Sequence, residues 1–440
     1  MPKRAYRLIG GAALIVCSLP VFATTVNEAV EQTLRSNPDI QAGAAYRLST
    51  DQAVKVARGG YYPKLDLIAG VGSQRYESPG IRSTARGPET MDRSVANLRL
   101  SQMLFDGMGV QNEVQRNKSR VDSAAFKLAS TSEQTGLRAV EVYLDVLRNQ
   151  ELVNLADLNL QAHQKAYDQI KIRSEGGFGK KSDEDQMAAR LALAQSNLLA
   201  AQGNLSEAEY AYRRVVGLVP ENLLKPEVPD YQLPGSADEA AAEALSGNPI
   251  IKSAQADVEA AKAQNEAAKS LLYPRVDVEA DYAYNDNVDG VEGYQKNAQI
   301  MLMLRWNLFN GGSHSARASE TQQLTAQAQE VSNRVTREVD ESSRLAFNAF
   351  NVAQKRLPSL KDHAQSSELT RDAYVKQFSL GQRTLLDLLD SENELYVART
   401  DYVNGLFTEL YARYRIAANN GKLLGMLGVV PREESLVSQK

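Results

Sequence analysis

Two hydrophobic periods alternate along the chain. Val276, Val278, Ala280, Tyr282 and Tyr284 are apolar or aromatic, while Asp277, Glu279, Asp281, Ala283 and Asn285 fill the positions between them. A second run sets Ile300, Leu302, Leu304, Trp306 and Leu308 against Gln299, Met301, Met303, Arg305 and Asn307. The first half repeats the pattern with Leu65, Leu67, Ala69 and Val71, then Leu98, Leu100 and Leu104 against Asn97, Arg99 and Ser101. A period of two puts all apolar side chains on one face of a strand. Strand pairs are therefore predicted at about residues 64–105 and 275–309. The joining segments, 76–93 and 286–293, are rich in Gly, Pro and polar residues and read as surface loops.

After each strand pair the period lengthens. Tracts rich in Ala, Gln, Glu, Leu, Arg and Ser predict long helices at about 107–173 and 183–217, and again at about 312–377 and 384–425. The longest would extend roughly 100 Å at 1.5 Å per residue. Leu137, Val140, Leu144 and Leu147 form a heptad run, as do Leu388, Leu395 and Tyr402. Helices of that length suit a coiled-coil tube or stalk rather than a globular core. Pro358, without a counterpart in the first half, predicts a local kink.

The two halves share one plan. Ser36-Asn37-Pro38 recurs as Gly247-Asn248-Pro249, and Tyr62-Pro63 as Tyr273-Pro274, both 211 positions on; Leu104-Phe105-Asp106-Gly107 recurs as Leu308-Phe309-Asn310-Gly311, 204 positions on. Gly179 with Asp185 parallels Gly381 with Asp387 at a spacing of 202. The resulting division is a first repeat at 24–217, a Pro-rich extended linker at 218–240, a second repeat at 241–428 and a tail at 429–440.

Residues 1–23 carry Lys3, Arg4 and Arg7, then an apolar run, then Val21-Phe22-Ala23, the outline of a cleavable secretory signal peptide. Its removal would take the formal net charge from −4 to −7 and remove Cys17, the only cysteine. An exported chain without disulfides draws its stability from packing or assembly. An acidic chain with no clustered basic tract argues against a nucleic-acid partner. No metal-ligand spacing joins His163, His314 and His363, and no nucleophile elbow, phosphate-binding loop or dinucleotide fingerprint is present. The sequence therefore predicts no catalytic residue, cofactor or metal, and energy for any transport would come from a partner.

The strand pairs fit either half-buried hairpins of a soluble sheet or a transmembrane barrel with a wet lumen. In the second reading Trp306, Tyr282 and Tyr284 are membrane-interface anchors. Four strands cannot close a barrel, so several chains would have to share one. Near the end of the chain, Asp387, Asp390, Glu394 and Asp401 share one helix face, opposite Leu388, Leu395 and Tyr402. That stripe is either a functional lining or an ordinary wet surface.

The signal peptide, the doubled helix–hairpin–helix plan, YP before a strand, LF[DN]G after one and GxRTxxDxLD near the end together resemble the TolC family of outer-membrane efflux proteins. The resemblance covers nearly the whole mature chain. It implies a mixed α/β membrane protein: a homotrimer whose four strands per chain make one twelve-stranded barrel in outer-membrane lipid, continued by a coiled-coil periplasmic barrel. It further implies a passive exit duct in a Gram-negative outer membrane, joined through a periplasmic adaptor to an inner-membrane ABC transporter or another pump. The lack of a lipid-bearing cysteine leans toward the type I secretion branch that includes adhesin exporters. By the same resemblance Asp387 and Asp390, with Arg383 and Asp185, ring the periplasmic entrance. Gly179, Lys181, Gly381 and Gln382, in glycine-containing turns at the ends of rigid hairpins where a partner can reach, are the expected adaptor-docking tips. Phe378 stands where the family's best-known member has a tyrosine. The alternative reading is a structural or adhesive coiled-coil trimer without a transport role.

Overall fold

The computed structural model describes residues 24–80, 89–227 and 232–437; the expected signal peptide at 1–23 lies outside them, as do parts of the first joining loop, the linker and the tail. The chain opens with helices α1 (Val26–Ser36) and α2 (Pro38–Arg58). Thr25 and Glu28 form a capping box at the start of α1. The Asn-Pro motif explains itself next. Asn37 ends α1 in extended backbone, its side chain accepts from the Asp39 amide at 2.9 Å, and Pro38 occupies the first turn of α2, where its missing N–H costs nothing.

The same junction recurs between α5 (Ala237–Gly247) and α6 (Pro249–Lys269), where Asn248 accepts from Ile250 N at 3.0 Å. Gly247 takes the place of Ser36 because a Cβ there would lie 2.5 Å from the Asn420 carbonyl oxygen. Ala237 lies within the 218–240 stretch expected to be extended, so the second half starts earlier than its composition suggests; Ser236 caps α5 through the Glu239 amide.

Each short helix pair runs through a single 3₁₀ turn (Gly59–Tyr61 and Ser270–Leu272) into a strand, the Tyr-Pro step holding the backbone extended. Strands β1 (Lys64–Tyr76), β2 (Glu89–Phe105), β3 (Arg275–Val288) and β4 (Val291–Arg305) form one antiparallel sheet in chain order. The 286–293 segment is not a loop. Asp289 and Gly290, with φ of 55° and 77°, make a two-residue turn of the kind that matches strand twist, and both strands run up to it.

Four helices then dominate: α3 (Gly109–Glu175) with α4 (Lys181–Val216), and α7 (Ser313–Ser379) with α8 (Leu385–Asn419). α3 and α7 are each 67 residues, about 100 Å long at 1.5 Å per residue. Pro358, where a local kink is expected, lies inside α7, which continues to Ser379. Leu357 and Leu360 pack over Gly405 of α8, where a Cβ would come within 2.7 Å of Leu360, and this seat holds the helix across the one hydrogen bond proline removes. α8 stops at Asn419, short of the expected 425, because Gly421 is left-handed (φ +65°) and Lys422 N turns back to the Ala417 carbonyl at 2.9 Å.

The main core lies midway along the long helices. Val30, Leu34, Ile40, Val140, Leu144, Leu147, Tyr212, Phe407, Tyr414 and Leu423 meet there around Tyr143. The Tyr143 hydroxyl donates to the Thr24 carbonyl at 2.8 Å or to the Leu224 carbonyl at 2.6 Å, pinning the start of the chain and the inter-half segment to α3.

Beside this core, Glu133 of α3 is buried and accepts from Leu423 N at 3.0 Å, at the start of the short helix α9 (Leu423–Met426). Burial pushes its carboxyl from 4.5 up to about 7, only partly offset by the amides of Leu424 and Leu423. The folded state thus binds this proton more tightly than the unfolded chain, so folding stability falls as pH rises from 4.5 through about 7 and stays low above it. Glu133→Gln keeps an oxygen acceptor and removes the titration. In equilibrium urea unfolding the variant should gain on the wild type steadily across that window, whereas parallel curves would refute the assignment.

Candidate channel wall and entrance

The register of the sheet aligns the apolar rows of all four strands. Leu65 faces Leu100, Leu67 faces Leu98, Leu98 faces Tyr282, Leu100 faces Ala280, and Ala280, Val278 and Val276 face Ile300, Leu302 and Leu304. Among the described residues nothing covers this face: Ile300 is 78% and Leu302 67% exposed. A contiguous apolar patch of this kind marks contact with lipid or another protein.

The other face is charged and internally paired near the helix end. Arg99 Nε meets Asp281 Oδ1 at 2.5 Å, Arg305 reaches Glu279 Oε1 at 2.6 Å and Asp277 Oδ2 at 3.2 Å, and Arg275 Nε meets Asp277 Oδ2 at 2.8 Å. Beyond these pairs the same face carries Asn97, Asn285, Asn297 and Gln295. Trp306 sits at the helix end of the sheet, its indole N–H donating to the Leu272 carbonyl at 3.2 Å. Tyr282 stands in the apolar rows, and Tyr284 stacks on Tyr294 with centroids 6.2 Å apart. Tyr294 escaped the sequence reading, although its even position on β4 was the available signal.

At the far end of the helices the two turns share one backbone path. Gly177 (φ +78°) and Gly381 (φ +74°) are left-handed, and the following amides, Phe178 N and Gln382 N, both return to a carbonyl five residues back at 2.9 Å. The structural counterpart of Gly381 is therefore Gly177 rather than Gly179. Gly179 has ordinary φ and is small because a Cβ would lie 3.0 Å from Ser174 N. Lys180 and Thr384 are the two N-cap positions, so Asp387 corresponds to Asp183 and not to Asp185. The spacing is 204, the same as between the strand-end motifs.

Thr384 and Asp387 make a capping box: Asp387 N donates to Thr384 Oγ1, and Thr384 N to Asp387 Oδ2, each at 3.2 Å. The Thr384 hydroxyl, then its amide, then Arg383 hold the Asp387 carboxyl below the usual range, so it is ionised at neutral pH. Arg383 stacks on the Tyr374 ring at 4.3 Å, donates to Gln377 Oε1 at 3.0 Å and stands 3.9 Å from Asp387. Asp390 is exposed and forms no ion pair among the described residues. Asp185 is exposed and 3.7 Å from Lys181, which bonds Glu184 at 2.8 Å. Phe378 packs into an apolar seam with Ile170, Met187, Leu385 and Leu389 that joins the two hairpins near their ends.

Among the described residues no group of three or more His, Cys, Asp or Glu side chains converges, and no helix is long and apolar enough to cross a membrane.

A family model described as outer membrane efflux protein matches residues 29–218 and 240–417. The outer membrane efflux protein BepC of Brucella suis is 24% identical over 426 residues, covering 96% of this chain and 91% of that one. The alkaline protease secretion protein AprF of Pseudomonas aeruginosa is 24% identical, covering 96% of this chain and 89% of that one. The solved CmeC outer membrane channel of Campylobacter jejuni superposes with a TM-score of 0.80 at 13% identity, covering 90% of this chain and 86% of that one.

Thr384→Ala should remove the cap of α8, costing about 1 kcal/mol locally. Faster hydrogen exchange at the Asp387 amide, together with a rise in the Asp387 pKa toward the ordinary carboxylate range, is the expected result.

Proposed function

Because the chain belongs to the outer membrane efflux protein family, and so resides in the outer membrane of a Gram-negative cell and reaches into the periplasm, we propose that it is the passive exit duct of a tripartite export system. The observation that carries this reading is the uncovered apolar face, aligned across four strands and backed by an ion-paired polar face. Lipid on one side and water on the other accounts for both. An open sheet edge is not tolerated in lipid, so three copies join edge to edge into a barrel of twelve strands.

The paired helices, products of an internal duplication, then form a hollow cylinder across the periplasm. An adhesive coiled-coil trimer would need the helices but leaves the apolar sheet unexplained.

The helix tips, Gly179 with Lys181 and Gly381 with Gln382, dock the periplasmic adaptor. Phe178 and Leu380, 92% and 71% exposed beside those turns, supply apolar contact area. An inner-membrane ABC transporter or another pump provides the energy. The secretion role in the name of AprF supports type I protein secretion as the system served.

Asp387 and Asp390 line the periplasmic entrance, with Arg383 and Asp185 flanking it. Asp387 has two roles in this reading: it caps α8, and its charge, held on by that cap, contributes to an acidic ring. Three chains would bring six such carboxylates around one axis, attracting cations.

In planar bilayers the purified protein should open cation-selective steps. Asp387→Ala with Asp390→Ala should lower the selectivity and weaken block by trivalent cations added from the periplasmic side. The wild-type selectivity should itself fade toward 1 M salt, where the Debye length is about 3 Å. Channels with unchanged selectivity in the double variant would place the stripe outside the lumen; an absence of channels would refute the duct.

A further inference from the structure

The apolar face of the sheet ends differently at its two ends. At the helix end stands Trp306. Ten residues before it, on the apolar face of β4, stands Lys296, beyond Ile300 and Ala298 in the row. Ten residues of strand span about 33 Å, or roughly 25 Å along the axis of a barrel whose strands tilt near 40°, which is the height of the lipid-facing band of such barrels. If Trp306 marks the periplasmic boundary, Lys296 reaches the outer one.

Its surroundings are built from aromatic rings. Lys296 faces Tyr284 across the strands, its ammonium lies 5.2 Å from the Tyr294 ring centroid, and the two tyrosine rings stack at 6.2 Å and 15°. The ammonium forms no ion pair among the described residues. The carboxylates of Asp286 and Asp92 on this face lie one and two rows farther from the apolar band, and Arg75 of β1 shares the face at the same end. The order along the face is thus hydrocarbon, then a ring-supported cation, then carboxylates in water.

Building on the membrane reading above, we propose that Lys296, seated on Tyr294 and Tyr284, binds the phosphate of a glycolipid in the outer leaflet. An ammonium with no ion-pair partner among the described residues, at the upper rim of an apolar band, meets the head groups of the lipids packed against that band. The tyrosine faces hold it there through cation–π attraction and offer flat apolar surface to a sugar ring. The outlying carboxylates suit a second layer in which divalent cations bridge them to further phosphates. The site commits to a lipid and not to free phosphate, because the rows beneath it are covered by acyl chains.

The test inserts the full-length protein, wild type and Lys296→Gln, into vesicles containing lipid A with both phosphates or a dephosphorylated form, and measures glycolipid retained after detergent extraction. The wild type should retain the phosphorylated form preferentially. Lys296→Gln should lose about fivefold of that preference, the factor one cation near an anionic lipid surface is worth, and Lys296→Arg should keep it.

Millimolar inorganic phosphate should leave retention unchanged; displacement by it would show an anion site rather than a lipid site and overturn the proposal. Normal insertion with equal retention by wild type and Lys296→Gln would overturn it while leaving the duct intact. Failure to insert into vesicles of any composition would overturn the membrane reading and this proposal together.

Discussion

A four-stranded sheet with one uncovered apolar face and two unpaired edges cannot be an end state in water or in lipid. Every other feature of the molecule is arranged around completing it. The apolar rows need hydrocarbon against them and the outer edges of β1 and β4 need strands to pair with, and the proposed closure of several copies into a ring in a membrane would meet both needs. The ion pairs of Arg99, Arg275 and Arg305 with Asp277, Glu279 and Asp281 then stand on the wet side, where each charge is neutralised by a cross-strand or near neighbour.

The helices continue from the sheet rather than forming a separate body. The strand-to-helix corners and the Tyr-Pro turns join sheet and helices within a few residues, so strand register also sets where each helix starts. Stability concentrates in the middle of the long helices, where Tyr143 and its neighbours gather α1, α3, α4, α8 and the end of the chain. Toward the far ends the packing thins to a small seam around Met187 and Leu389. Motions draw on the regions with the fewest buried contacts, so the far ends of the helices are the part of the chain that yields first.

Much of this was legible in the sequence, for identifiable reasons. Strict alternation fixed which strand face is apolar, and the Asn-Pro motifs marked helix junctions because Asn caps and Pro starts a helix almost independently of context. Tertiary geometry decided the rest. Gly179 and Gly177 are equally plausible turn glycines until the backbone shows that only Gly177 is left-handed, and that one shift moves the partner of Asp387 from Asp185 to Asp183. At Pro358 the sequence shows only the residue that kinks a helix, while the Gly405 seat across which α7 continues lies on another helix. Glu133 gave no signal at all, since the amide it holds is 290 residues away. The roles proposed at the entrance rest on family resemblance alone; the local chemistry shows that Asp387 caps its own helix.

The central claim is that the two faces of the sheet meet lipid and water respectively. In a Cys17→Ser background, single cysteines placed in turn from Gln299 to Arg305 and challenged in intact outer membranes with a water-soluble maleimide test it directly. The account predicts labelling that alternates with a period of two, strong at residues 299, 301, 303 and 305 and weak at 300, 302 and 304. Uniform labelling along β4, or the opposite phase, would contradict it.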